Sequence, residues 1–146
     1  MSYSFLFDLV TFATMPLWGL LLVAPTHAVT HRLIHSGLAP GALGVLYIGM
    51  LAVGAVSPFG EPGLANVIAM FQHPEIMVLG WVHYLAFDLF VGGWIARDAA
   101  ARGVSRLWAA PCLVLTWMLG PSGLVVWFAL RGLLALRAPA PRTSAG

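Results

Sequence analysis

Long apolar stretches separated by short polar segments dominate this chain. A helix needs about 20 predominantly apolar residues to cross the hydrocarbon layer of a membrane. Four stretches approach that length, at residues 5–24, 41–56, 76–96 and 107–130. The pattern predicts an all-α, polytopic membrane helix bundle of about four transmembrane helices. Because Gly120-Pro121 interrupts the last stretch, we expect that helix to be kinked there.

These stretches predict a single transmembrane helical domain over residues 1–136. The Pro/Ala-rich segment 137–146 is typical of a disordered C-terminal tail. Four crossings would put both ends of the chain on one side of the membrane. The first and third connections would then share the other side, with four of the seven arginines. Four arginines on that side against three on the other slightly favour a cytoplasmic position for those connections.

The composition excludes several classes of protein. Hydrophobic residues make up 60% of the chain and charged residues only 8%, whereas soluble domains carry about 25% charged residues. A net charge of +2, scattered along the chain, does not indicate nucleic-acid binding. The single cysteine, Cys112, excludes an intrachain disulfide and a cysteine-built metal site. We therefore expect an integral membrane protein in contact with lipid.

Three histidines lie four residues apart in THAVTHRLIH, at His27, His31 and His35. This spacing puts them on one helical face, where a pair at i, i+4 can bind a metal ion. The three together extend over about 12 Å, too far for one ion. We expect a short amphipathic helix at the membrane surface, from an N-cap at Thr26 to a stop at Gly37, with a metal site as the alternative.

The third stretch, GWVHYLAFDLFVGGWIARD, carries His83 and Asp88 inside a predicted span. An ionisable group at that depth is costly and indicates a functional site by default. Five residues apart, the two side chains point about 140° away from each other, so each needs its own partner. Asp8 in the first span is one candidate partner. The alternative is that both residues only form hydrogen bonds between helices.

Aromatic residues surround this pair. Trp81, Tyr84 and Asp88 are spaced for one face of the helix, and Phe87, Phe90 and Trp94 mark an adjoining stripe. Aromatic stripes are typical of helix packing. Beside buried polar groups, the stripe would also suit a long conjugated hydrocarbon.

Several segments resemble one family of small integral membrane proteins, related to the plant abscisic-acid-deficient protein needed for neoxanthin synthesis. The segments are MPLWGLLLVAP, LGVLY, GWVHYLAFDLFVGGWIARDA and GPSGLVVWF. The pattern formed by Trp81, His83, Asp88 and Phe90 carries most of the resemblance. It implies a role related to making neoxanthin from violaxanthin, an isomerisation that opens an epoxide, and carotenoid-cleaving enzymes as partners.

On this resemblance we expect a carotenoid isomerase that uses no metal and no other cofactor. Opening an epoxide to an allene needs one proton delivered and another removed. Asp88 would be the acid and His83 the base, or the reverse, and Asp8 would replace either. Arg97 would anchor a ring hydroxyl. The expected substrate-binding residues are Trp81, Tyr84, Phe87, Trp94 and Arg97.

The alternative is a non-enzymatic carotenoid-binding or assembly protein that supports another enzyme or a pigment complex. Either function predicts that the protein binds a carotenoid or a similar long apolar ligand and contacts membrane lipid. The expected protein partner is a second copy of the chain or a carotenoid enzyme. The plant relatives are chloroplast proteins. Basic residues that are all arginine, with abundant Ala and Gly, instead indicate a bacterial inner membrane, and the substrate does not transfer with the fold.

Overall fold

The computed structural model describes residues 2–53 and 63–137, which form helices joined by short turns. The helices are α1 (Tyr3–Val23), α2 (Ala28–Thr30), α3 (Leu38–Val53), α4 (Leu64–Met70), α5 (Pro74–Ala101), α6 (Arg106–Leu119) and α7 (Pro121–Arg137), with one π-helical turn at His31–His35. The predicted all-α class is confirmed. The tail predicted at 137–146 lies, beyond its first residue, outside the described residues.

Three parts of the chain are long and apolar enough to cross a membrane: Tyr3–Val23, Ala28–Val53 and Pro74–Ala101. The last of these, α5, is the most buried and forms the centre of the bundle. α1 runs in the same direction as α5, because Phe7 packs against Trp81 and Trp18 packs against Gly92. α3 runs in the opposite direction, because Tyr47 lies at His83 and Ile34 lies at Gly93.

The fourth apolar stretch does not form a fourth crossing in this structure. The expected break at Gly120 is a complete reversal, so α6 and α7 fold back on each other as a helical hairpin. Its tip, Gly120, lies beside Asp88 near the middle of α5. Both open ends return to the C-terminal end of α5, where the Trp127 Nε1 donates to the Asp98 carboxylate over 2.9 Å.

The lengths of α6 and α7 explain why the hairpin reaches only half-way along α5. α6 has 14 residues and α7 has 17, whereas a crossing needs about 20. Gly120 has φ 56°, a conformation that glycine adopts at little cost, and Pro121 starts the next helix. Gly120 is itself buried, and non-helical backbone at membrane depth is tolerated when protein covers it.

The hairpin changes the expected arrangement of the chain ends. Among the described residues, the side chains of Arg32, Arg97, Arg102, Arg106 and Arg131 all lie at the end of the bundle where α1 finishes. Glu75 lies at the opposite end, beside Tyr3. α7 therefore ends on the arginine-bearing side, opposite to the start of α1. The positive-inside rule favours that side as the cytoplasmic one, and the start of α1 and the end of α7 lie on opposite sides rather than on the same side as expected.

The histidine segment is helical from Ala28 to His35, because α2 runs directly into the π-helical turn, and this helix starts one residue later than expected. His27, not Thr26, is the N-cap of α2: its Nδ1 accepts a hydrogen bond from the Val29 backbone N–H. The His35 Nε2 is hydrogen-bonded to the Pro25 carbonyl at 2.8 Å. Gly37, with φ 85°, ends the segment as expected. At least two of the three histidines therefore fasten the connection between α1 and α3.

We predict that Gly123→Ala destabilises the hairpin. An added Cβ would overlap the Thr116 side chain and the Cys112 carbonyl of α6, and overpacking of this kind costs about 1–3 kcal/mol. Thermal denaturation in detergent should show a lower midpoint. Gly132→Ala on the same helix is the matched control, because nothing lies within 4 Å of a Cβ there. Equal midpoints for both variants would contradict the close packing of α6 on α7.

We also predict that Ser36 and Leu136 lie on the same side of the membrane, and Ser2 on the other. Each is changed to cysteine in a Cys112→Ala background and labelled in sealed vesicles with a thiol reagent that cannot cross lipid. The expected result is that Ser36→Cys and Leu136→Cys share one labelling pattern and Ser2→Cys shows the reverse. Four full crossings would instead put positions 36 and 136 on opposite sides.

Candidate functional site

Asp88 lies at the tip of the hairpin, half-way along α5. Its side chain is 8% exposed, and its Oδ2 has no hydrogen-bond partner within the part of the chain that the structure describes. A Cβ on Gly120 would lie 3.5 Å from Oδ1 and 3.6 Å from Oδ2. Gly120 therefore lies in direct van der Waals range of the carboxylate. A buried carboxyl group with a free oxygen is energetically costly, which makes this the strongest functional candidate in the bundle.

Tyr84 and Trp81 form the wall beside Asp88, as their spacing predicted. The Tyr84 hydroxyl lies next to the Asp88 carboxylate and the Gly120 backbone. The Trp81 ring stacks on Tyr84 with centroids 5.4 Å apart. Its Nε1 donates to the Thr11 hydroxyl over 2.8 Å, which fixes the wall to α1. Thr11 has this positioning role because of the helix packing, and nothing in its own sequence context indicates it.

His83 points away from Asp88, as the 140° separation predicted. Its side chain is exposed, and its ring lies 4.7 Å from Phe87 and 5.6 Å from Tyr47, measured between centroids. The exposed stripe continues along α5 through Phe90 and reaches Trp94, against which Phe128 packs. His83 is thus the polar end of an aromatic stripe that faces lipid between α3 and α7.

The short hairpin leaves one face of α5 open in its first half. Because α6 and α7 extend only from Gly120 towards the C-terminal end of α5, they do not cover the turns before Asp88. On this side Phe71 lies against Gly80, one turn before Tyr84. We call the surface formed by His83, Tyr84 and Phe87 the open face. It connects the carboxyl group of Asp88 with the imidazole of His83, although the two groups do not touch.

Two other predicted residues occupy different positions. Asp8 is exposed on α1, and the structure records no hydrogen bond or ion pair from its side chain to any described residue. Arg97 donates from Nη1 to the His35 carbonyl over 2.9 Å, so one of its N–H donors binds the connection between α1 and α3. The proposed roles of Asp8 as a proton carrier and of Arg97 as a hydroxyl anchor stay predictions.

The structure adds a polar cluster that the sequence did not indicate as a unit. Asp98 accepts hydrogen bonds from Arg102, Trp127 and Arg131. The Arg131 guanidinium also lies 5.0 Å from the ring centroid of Phe128 and 5.9 Å from that of Trp94, within the range of a cation–π contact. The i, i+4 spacing of Asp98 with Arg102 was visible in the sequence, but the contact of Asp98 with α7 depends on the hairpin.

Comparisons with known proteins identify relatives of this chain. A family model described as ABA DEFICIENT 4-like matches residues 5–127. The chain is similar to Protein ABA DEFICIENT 4, chloroplastic, of Arabidopsis thaliana, with 26% identity over 141 residues. That alignment covers 90% of this chain and 62% of the plant protein, so the chain spans less than two thirds of its relative's length. No solved structure matches the chain.

The matched residues include α1, α3, α5, α6 and the first part of α7, and therefore both Asp88 and the hairpin tip. The chain belongs to the ABA DEFICIENT 4-like family.

Proposed function

We propose that this protein is a membrane enzyme of xanthophyll metabolism that isomerises a carotenoid or its epoxide without a cofactor. Membership of the family supports a function related to carotenoids, and we place the protein in a bacterial inner membrane. The observation that carries the proposal is the Asp88 carboxyl group, buried at mid-depth with a free Oδ2. A group of this kind can donate a proton to a ligand oxygen that arrives from the lipid.

The open face gives the substrate a route to Asp88. A long polyene can lie along Phe87, which is 60% exposed, and the half-buried Tyr84, and Trp81 closes the far side by stacking on Tyr84. In this position an epoxide oxygen at Tyr84 lies next to the buried Asp88 carboxyl group, and the polyene contacts His83 at the other edge of the open face. Two titratable groups on either side of an apolar surface are the minimum for an isomerisation that moves protons.

In the proposed reaction, Asp88 gives its proton to the epoxide oxygen. The carbon–oxygen bond breaks, and the oxygen keeps the bonding electrons and becomes a hydroxyl. His83 removes a proton from the polyene, and the electrons of that C–H bond form the new double bond of the allene. Return of the proton from His83 to Asp88 restores the enzyme. The product is an isomer of the substrate, and no atom is oxidised or reduced.

A second candidate function is carotenoid binding without catalysis, in support of another enzyme or a pigment complex. The exposed aromatic stripe favours it, because Phe87 is 60% exposed and Phe90 is 54% exposed on the lipid side of α5. A second copy of the chain or a carotenoid enzyme would then cover this stripe. In this case the pigment would be held along the stripe, and Asp88 would serve only the packing of the hairpin.

Asp88→Asn separates the two functions. The amide keeps the size of the side chain but cannot donate the carboxyl proton. We expect the unchanged protein, expressed in cells supplied with cyclic and epoxidised carotenoids, to produce a new pigment isomeric with one of them. Loss of a general acid lowers turnover by about 100-fold or more, so the variant should give no new chromatographic peak while pigment still co-purifies with it.

The matched control for this variant is Glu75→Gln, which removes a carboxyl group at the start of α5, next to His73. It should give the same pigment profile as the unchanged protein. If the unchanged protein retains pigment but produces no new peak on any supplied carotenoid, the binding function replaces the enzymatic one. If Asp88→Asn keeps full turnover, Asp88 is not the acid.

The variant His83→Gln tests the proposed role of His83 as the base. Because His83 is exposed and makes no recorded hydrogen bond to a described residue, the substitution should leave the denaturation midpoint unchanged and lower product formation by about 100-fold. Met77→Gln controls for a polar amide on the lipid-facing side of α5, since Met77 is 54% exposed. Product at the level of the unchanged protein in His83→Gln would assign His83 to ring packing alone.

A further inference from the structure

We propose that the cavity at the arginine-bearing end of the bundle binds one anionic phospholipid, with an acyl chain inside the cavity and the phosphate at Arg106. This cavity is separate from Asp88 and from the open face. It has a volume of about 330 Å³, at the lower end of the about 300–1,000 Å³ that ligand pockets in proteins provide. It lies where the ends of α1 and α5 meet the start of α6.

The interior of the cavity is apolar and lined with small side chains. Leu21 and Leu22 of α1 form one wall. The others are formed by α5 and α6, mainly by alanines: Ala96, Ala99, Ala100, Ala109 and Ala110. In a membrane an apolar space of this kind fills with hydrocarbon, because a buried gap forfeits dispersion contacts along its whole lining. An acyl chain is the hydrocarbon that the surrounding bilayer supplies.

The mouth of the cavity is polar and positively charged. Thr26, Ser105 and Arg106 line it. The Arg106 Nη1 donates to the Val23 carbonyl at the end of α1, which holds the guanidinium over the opening. Four of its five N–H donors are left for a ligand, and no carboxylate pairs with it within the described ranges. Arg102 and Arg131, by contrast, both form ion pairs with Asp98.

Charge and depth together identify the ligand. Arg106 is at the level where a helix leaves the hydrocarbon, so a group bound to it lies among lipid headgroups. Arginine presents a fork of donors that matches phosphate oxygens, and basic pockets between transmembrane helices on the positive side typically bind anionic headgroups. The cavity and Arg106 carry the proposal; the start of α6 at the same opening adds a favourable helix dipole.

The test uses the full-length protein in nanodiscs and in detergent. Nanodiscs of phosphatidylcholine with a minor fraction of phosphatidylglycerol are opened in detergent, and the lipids retained are counted by native mass spectrometry. We expect the unchanged protein to retain one phosphatidylglycerol in preference to phosphatidylcholine. Arg106→Gln should lower that preference by about fivefold, the effect of losing one arginine–anion contact at a membrane surface.

Further variants separate the contribution of the lipid headgroup from that of the acyl chain. Ala110→Leu fills the cavity and should abolish retention of both lipids, and Ala100→Leu serves the same purpose should the first variant fold poorly. Arg32→Gln is the matched control, because Arg32 is an exposed arginine at the same end of the bundle that does not line the cavity. It should keep the preference of the unchanged protein.

A free anion is the competing explanation. Inorganic phosphate at millimolar concentration should neither displace the retained lipid nor raise the denaturation midpoint of the unchanged protein, since it lacks the chain that fills the cavity. If phosphate raises the midpoint and Ala110→Leu retains lipid normally, the site binds anions only. If the unchanged protein shows no preference for phosphatidylglycerol, or if Arg32→Gln loses it as strongly as Arg106→Gln, the proposal is wrong.

Discussion

The reversal of the chain at Gly120 is the constraint on which the rest of the structure depends. A turn in the hydrocarbon layer leaves backbone N–H and C=O groups that water cannot reach, so protein must cover it. Gly120 lies against Tyr84 and Asp88 of α5, and Gly123 lets α7 approach α6 closely. At the other end, Asp98 binds both Arg131 and Trp127 of α7. The hairpin is thus fixed at its tip and at its open end.

The same reversal shapes both proposed sites. Because the hairpin stops half-way along α5, it brings the backbone of Gly120 against the Asp88 carboxyl group and leaves one face of the first half of α5 without a covering helix. Because α6 must start again at the membrane surface, its first turn meets the end of α1 and leaves a cavity between small side chains. A full fourth crossing would cover the open face and would put Arg131 on the other side of the membrane, away from Asp98.

The two ionisable residues of α5 have different physical situations. Asp88 is enclosed by protein and has a free oxygen, while His83 is exposed to lipid among aromatic rings. Interhelical hydrogen bonds in membranes contribute only about 1 kcal/mol, which is small against the cost of burying a carboxyl group with one oxygen unpaired. The packing of the His83 ring on Phe87 and Tyr47 accounts for the position of His83. For Asp88, no hydrogen bond from a described residue offsets the cost of burying its Oδ2.

The sequence by itself determined the class of the protein, its apolar spans, the break at Gly120 and the shared face of Trp81, Tyr84 and Asp88. These follow from composition, from the 3.6-residue helical period and from residues that stop helices, all of which are local properties. Whether the chain crosses or returns after Gly120 was not a local property, because the apolar stretch is long enough for one span and equally suits two half-spans.

Only the tertiary structure decided between those arrangements, through contacts that join distant residues. Three contacts each bring together residues from different helices: Gly123 with Thr116, Asp98 with Arg131, and Trp81 with Thr11. The identity of the His27 N-cap and the cavity below Arg106 depend on the same packing. The helical period predicts which residues share a face of one helix. Which other helix packs against that face depends on how the helices fit together.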